Sequence, residues 1–283
     1  MDEKLFITLT PGKTFIDKLT GKTKVRLFVC LIFILTFTWD VRIMIPIFLL
    51  SIITLLSIKP DKKKNIAIII FVLLMNLFNL FLTWIIKPNY GLEMVGGSTV
   101  LFQFTDFLIV TKETMWYFLV RLTKFMASFL LSLTFIQSIT PSELSAGLHS
   151  IKVPYKICMI VSLAFRYIPD ITRDFNNVRV SMQTRGLELD SKKSSLLTRL
   201  KQYVLILVPL LITSFDRVGN IANGMDLRGF GKKKDKTYYC EHDDTKGDKI
   251  LFPFTILAAL GLLAVIIIKI IYKPPFEVWS PWY

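Results

Sequence analysis

Two short stretches of the chain carry the same potential chemistry: Thr184-Arg185-Gly186 and Leu227-Arg228-Gly229. An arginine beside a glycine can enter an acidic groove, where its guanidinium makes paired hydrogen bonds to a carboxylate and the missing Cβ lets the backbones approach. That is recognition chemistry; neither stretch supplies a nucleophile or a general base. Other reactive residue types are scattered. Gly12-Lys13-Thr14 and Gly21-Lys22-Thr23 imitate the end of a phosphate-binding loop, but Ile7 and Ile16 stand where that loop needs its first glycine, so no nucleotide site is expected. Cys240, His242, Asp243 and Asp244 lack the second ligand pair that a closed zinc site requires. His149 has no serine, cysteine or carboxylate constellation to make it catalytic. Lys232-Lys233-Lys234 has no interleaved aromatic residues for base stacking, so it reads as a lipid-facing or topology-setting run, with no nucleic-acid partner. No catalytic residue, metal site or cofactor is expected in the chain.

The elements that must present the two arginines belong to a membrane protein. Of 283 residues, 53% are apolar and 23 are phenylalanine, and the mean hydropathy is +0.53. The net charge of +14 lies largely beside or between apolar runs, where it acts as a topology signal. Three scattered cysteines form no disulfide framework. Val25–Trp39 and Val41–Ser57, split by Asp40 and Arg42, read as a tight transmembrane hairpin or a re-entrant pair. Ile66–Ile86, Met115–Phe135 and Ile250–Tyr272 approach the roughly 20 residues that a bilayer core requires. Arg121 and Lys124 interrupt the fourth run and should face protein, a cavity or the interface. The Gly- and Pro-containing stretch 87–113 suits an external loop, and Trp279, Trp282 and Tyr283 an aromatic anchor at the interface.

The expected fold is all-α, with about five transmembrane helices plus a cytoplasmic domain of amphipathic helices. Its segments are a cytoplasmic N-terminal part (1–24), transmembrane helices one to four (25–136), the cytoplasmic domain (137–249), a fifth transmembrane helix (250–272) and a tail (273–283). With the N-terminus inside, the basic segments fall on the cytoplasmic side. No cleaved leader is expected, because residues 1–24 lack a short hydrophobic core and cleavage site.

Within 137–249 there are 18 Lys/Arg against 12 Asp/Glu, and apolar residues recur at helical intervals. Thr140-Pro141-Ser142-Glu143 has capping-box spacing with proline at the first helical position. After Pro169, Ile171, Phe175, Val178 and Met182 predict an amphipathic helix that stops at Gly186. A second apolar stripe, including Phe215, Val218, Ile221 and Met225, runs to Gly229. Displacement by 43 residues carries Phe175 onto Val218, Asn177 onto Asn220, Val178 onto Ile221, Met182 onto Met225 and Arg185-Gly186 onto Arg228-Gly229. Alone, each arginine could simply meet the negative end of its helix dipole. Repeated, the endings form two similar docking tips, which suit two similar partners.

Over nearly its whole length the chain resembles the transmembrane T component of energy-coupling factor (ECF) vitamin and metal transporters, the CbiQ-like family. The likeness rests on Thr140-Pro141-Ser142-Glu143-Leu144, Val153-Pro154, Leu163-Ala164-Phe165-Arg166-Tyr167-Ile168-Pro169 and the two Arg-Gly motifs, the second continuing as Phe230-Gly231. Thr184 and Leu227 replace the alanine usual in these motifs, and Thr20-Gly21-Lys22 replaces the usual Asp-Pro-Arg before the first span. The resemblance implies a non-catalytic subunit of an importer in a bacterial or archaeal cell membrane, with 137–249 as its cytoplasmic coupling domain. It implies that Thr184, Arg185, Gly186, Leu227, Arg228 and Gly229 bind two ABC-type ATPase subunits, which hold the ATP and Mg. A substrate-binding membrane S component would complete the complex, with Ile171, Phe175, Val178, Met182, Phe215, Val218, Ile221 and Met225 packing the levers or meeting it. The rival reading is a stand-alone membrane enzyme or ion carrier built around Arg121, Lys124 and the loop 87–113.

Overall fold

The computed structural model describes residue 16 and residues 19–58, 62–88, 90–96, 99–103, 109–186, 196–232, 245–272 and 278–281. The described chain is overwhelmingly helical: α1 (Gly21–Phe37), α2 (Val41–Ile58), α3 (Lys62–Ile86), α4 (Tyr90–Val95), α5 (Lys112–Ser138), α6 (Pro141–Ser150), α7 (Tyr155–Thr184), α8 (Leu196–Leu227) and α9 (Lys246–Tyr272). A small antiparallel pair, β1 (Val100–Gln103) and β2 (Ile109–Thr111), lies between α4 and α5, with Val100 opposite Thr111 and Gln103 opposite Ile109. The expected loop 87–113 therefore contains a short helix and a hairpin. The Lys13 and Cys240–Asp244 motifs, Lys233, Lys234, Trp282 and Tyr283 fall outside the described residues.

Two compact units divide the chain, one of residues 1–153 and 240–283 and the other of Pro154–Tyr239. In the first unit, α2 and α1 pack on α5, and α1 also packs on α6 and α9. Its core gathers Leu35, Met44, Val120, Ala127 and Tyr117, all buried. Trp39 stacks on Tyr117 at 5.9 Å and Phe28 on Phe135 at 4.1 Å. By contrast, α3 leaves most of its apolar side chains uncovered, including Phe71, Leu74 and Phe78, as a helix bathed in lipid does. The segment 137–153, assigned by sequence to the coupling domain, packs through α6 against α1 in this unit.

Five helices among the described residues are long and apolar enough to cross a membrane: Val41–Ile58, Lys63–Ile86, Lys112–Ser138, Leu200–Leu227 and Gly247–Ala264. Four contain or overlap expected spans. The remaining expected span, Val25–Trp39, lies largely in α1, whose 17 residues are at the short limit for crossing. Helix α8 meets the criterion because Tyr203–Ile212 is contiguously apolar around Pro209, so the expectation of helical intervals throughout 137–249 fails there.

Arg121 and Lys124 turn towards protein. Arg121 donates to Asn79 Oδ1 at 2.9 Å and Thr83 Oγ1 at 3.2 Å on α3, while Lys124 Nζ donates to the Thr36 carbonyl in the last turn of α1 at 2.9 Å and lies over the Trp39 ring. Trp279 is also held by protein: its carbonyl accepts from Trp116 Nε1 at 2.9 Å and its ring lies under the Arg42 guanidinium.

A polar junction gathers the beginnings of α1, α6 and α9 and the end of α5. Thr140 and Glu143 form the predicted capping box. Lys24, with a side chain only 3% exposed, donates to Glu143 Oε2 at 3.0 Å and to the Ser138 carbonyl at 2.8 Å. One ammonium thereby compensates the capping carboxylate and meets a carbonyl at the end of α5. The Asp248 carboxylate bridges two helix starts: Oδ1 accepts from the Thr20 N–H and hydroxyl, both at 3.0 Å, and Oδ2 from the Thr245 N–H at 2.9 Å and its hydroxyl at 2.5 Å. Gly21 is required by close approach, since a Cβ there would lie 2.3 Å from the Glu143 carbonyl oxygen.

Candidate coupling tips and their lever helices

Each lever is one continuous helix. Helix α7 runs 30 residues through Pro169, and α8 runs 32 through Pro209, corresponding to about 45 and 48 Å at 1.5 Å per residue. The amphipathic helix expected after Pro169 is the second half of this longer helix. A proline removes one ladder hydrogen bond and disturbs the turn before it, but the long flanking helical segments carry the axis through.

Both levers end by the same backbone device. Gly186 has φ +91° and Gly229 has φ +72°, the left-handed region that a side chain resists. The Gly186 N–H donates to the Gln183 carbonyl at 3.0 Å, and the Gly229 N–H to the Asp226 carbonyl at 2.9 Å. At the second end the Phe230 N–H also donates to the Met225 carbonyl at 3.0 Å, completing a Schellman closure. Arg185 and Arg228 are consequently the last residues before a forced reversal, and both are exposed. Thr184 and Gly186 are exposed beside Arg185; Leu227 is 90% exposed beside Arg228, and Gly229 is half-buried.

The apolar stripes are unevenly covered. Phe175, Val178, Met182, Ile221 and Met225 are half-buried, whereas Ile171, Phe215 and Val218 remain exposed within the chain. Helices α7 and α8 pack together, and their polar contact is an ion pair from Arg217 to Asp174. Sequence reading missed this pair, although the 43-residue displacement carries Asp174 directly onto Arg217. Tyr155, the first residue of α7, meets Phe230, just beyond the end of α8, with ring centroids 5.9 Å apart. The Arg228 tip therefore lies beside the start of α7 and the Arg185 tip at its far end. The two arginines lie on opposite sides of the Asp174–Arg217 contact, each about 16 Å from it along its own helix.

Such a site can bind and transmit, because rigid helices carry displacement and exposed guanidinium groups give it a point of entry. Among the described residues, no group of three or more His, Cys, Asp or Glu side chains is placed to hold a metal. His149 is exposed in the last turn of α6, and Gly21-Lys22-Thr23 forms the first turn of α1.

Comparison with known proteins agrees with this architecture. A family model, CbiQ, described as cobalt transport protein, matches residues 12–239. The chain is 26% identical to the energy-coupling factor transporter transmembrane protein EcfT of Staphylococcus aureus over 255 residues, covering 84% of this chain and 88% of that one. It is 25% identical to EcfT of Macrococcus caseolyticus over 279 residues (91% and 97%) and 23% identical to EcfT of Bacillus subtilis over 273 residues (92% and 97%). With the family match spanning most of its length, both levers included, the chain belongs to the CbiQ family, the family of the transmembrane components of energy-coupling factor transporters.

Proposed function

We propose that this protein is the coupling subunit of an ECF-type importer for a vitamin or another micronutrient, and that Arg185 and Arg228 dock into grooves on two ABC-type ATPase subunits. The observation that carries the reading is the duplicated helix ending: two levers, each closed by a left-handed glycine and each presenting an exposed arginine. ATP-driven movement of the ATPases displaces the tips, and α7 and α8 pass it to a substrate-binding S component. The exposed apolar side chains of α8, Phe215 and Val218 among them, supply a surface for that subunit. The tips and the N-terminus face the cytoplasm of the bacterial cell, where ATP is available. ATP and Mg are held by the ATPases, and this chain contributes no catalytic group. The rival carrier loses its candidate residues, since Arg121 is tied to Asn79 and Thr83 and Lys124 to Thr36.

Co-purification of the ATPases after detergent extraction tests the docking. Arg185→Ala with Arg228→Ala should leave the protein in the membrane and sharply reduce ATPase recovery; an unaltered recovery overturns the assignment.

A further inference from the structure

The two lever endings share a backbone device but differ in the residue that precedes the arginine. At the first, the Thr184 hydroxyl turns back and donates to the Ser181 carbonyl at 2.8 Å, so its polar atom is engaged within its own helix. At the equivalent position of the second, Leu227 projects outward and is 90% exposed, the most exposed large apolar side chain among the described residues. Closing the helix does not require it there. In a Schellman closure the apolar contact joins the residue after the glycine to one at the start of the last turn, the positions of Phe230 and Met225, and the Phe230 ring also meets Tyr155. Leu227 takes no part in that arrangement. The bilayer does not account for it either: Leu227 stands about 22 Å along the helix beyond Ile212, where the contiguous apolar run ends. Asp216, Arg217, Asn220, Asn223 and Asp226 intervene.

We infer that Leu227 is a specificity-determining residue of the second tip, filling an apolar pocket beside the acidic groove that takes Arg228 on the ATPase subunit docked there. Thr184 offers no such anchor, so the two tips call for unlike grooves and are not interchangeable. The division of labour is physical: an arginine fixes orientation through paired hydrogen bonds to a carboxylate, and a leucine beside it adds apolar area removed from water. This inference rests on the docking reading above and adds to it the chemistry of one of the two grooves.

The test immobilises the full-length protein, purified in detergent together with its ATPase subunits, and follows the ATPase retained during a wash. Leu227→Ala should shorten retention about tenfold, within the range for withdrawing a leucine side chain from an apolar pocket. Folding is spared, because the side chain is exposed and alanine is the better helix former. Leu227→Met, which keeps the volume, should stay within about twofold of the wild type. Thr184→Ala removes no anchor and should also stay within about twofold. Wild-type retention in Leu227→Ala overturns the inference, and an equal loss in Thr184→Ala overturns the difference between the tips; in both cases the docking reading stands if Arg185→Ala with Arg228→Ala loses the ATPases. Unaltered retention in that double variant overturns the docking reading and this inference with it.

Discussion

Asp174 and Arg217 hold the same place in the two copies of the 43-residue repeat, and they pair with each other. Contact between equivalent positions is what a local two-fold crossing of two similar helices produces. A faithful repeat would set like charges against each other at the crossing. Here the copies differ in sign, and the crossing point is a cation against a carboxylate. From it each tip arginine lies 11 residues further along its helix, about 16 Å.

Asp174→Arg should therefore oppose two cations at the crossing and lower the melting temperature of the detergent-purified protein. Because the pair is about one-third exposed, the attraction lost is modest, about 0.2–1 kcal/mol, with repulsion added. Combining Asp174→Arg with Arg217→Asp should restore much of the loss. A double variant no more stable than Asp174→Arg alone would show that the pair does not set the crossing.

Lys24→Met should be among the most damaging single changes in the first unit. It leaves Glu143 without its buried cation and the Ser138 carbonyl without its donor, a loss of about 3–5 kcal/mol for a broken buried pair. Adding Glu143→Gln should recover part of that, because the amide oxygen can still accept from the Thr140 N–H without a charge to bury. Thermal unfolding of the three forms checks the order.

Asp248 caps two helix starts with one carboxylate, so its replacements should be graded. Asn offers one acceptor oxygen and serves one cap, whereas Ala serves neither. At about 1 kcal/mol per cap, Asp248→Ala should cost about twice what Asp248→Asn does. Hydrogen exchange at the first turns of α1 and α9 reads both losses directly.

Glycine replacements separate steric from conformational demand. Gly21→Ala drives a Cβ into the Glu143 carbonyl oxygen and should cost about 1–3 kcal/mol through forced displacement of α6. Gly186→Ala meets nothing within 4 Å and should cost only the left-handed backbone penalty, about 1–2 kcal/mol, confined to the end of α7. ATPase recovery should fall in the second variant while global melting barely moves.

Read without coordinates, the chain determines its membrane class, the α6 start and both lever endings. These are local facts: run length against bilayer thickness, a capping box over four residues, and a glycine where the helix must turn left-handed. The duplicated arginine tips are legible for the same reason, since a repeat is a property of order along the chain. The unbroken passage of α7 through Pro169 and the meeting of Asp174 with Arg217 were decided only in three dimensions. So were the partners of Arg121 and Lys124 and the double cap on Asp248, whose partner Thr20 stands 228 residues away. A charge deep in an apolar helix reveals from sequence only that it needs a partner; which one it receives depends on helices brought together by packing, and no periodicity encodes that choice.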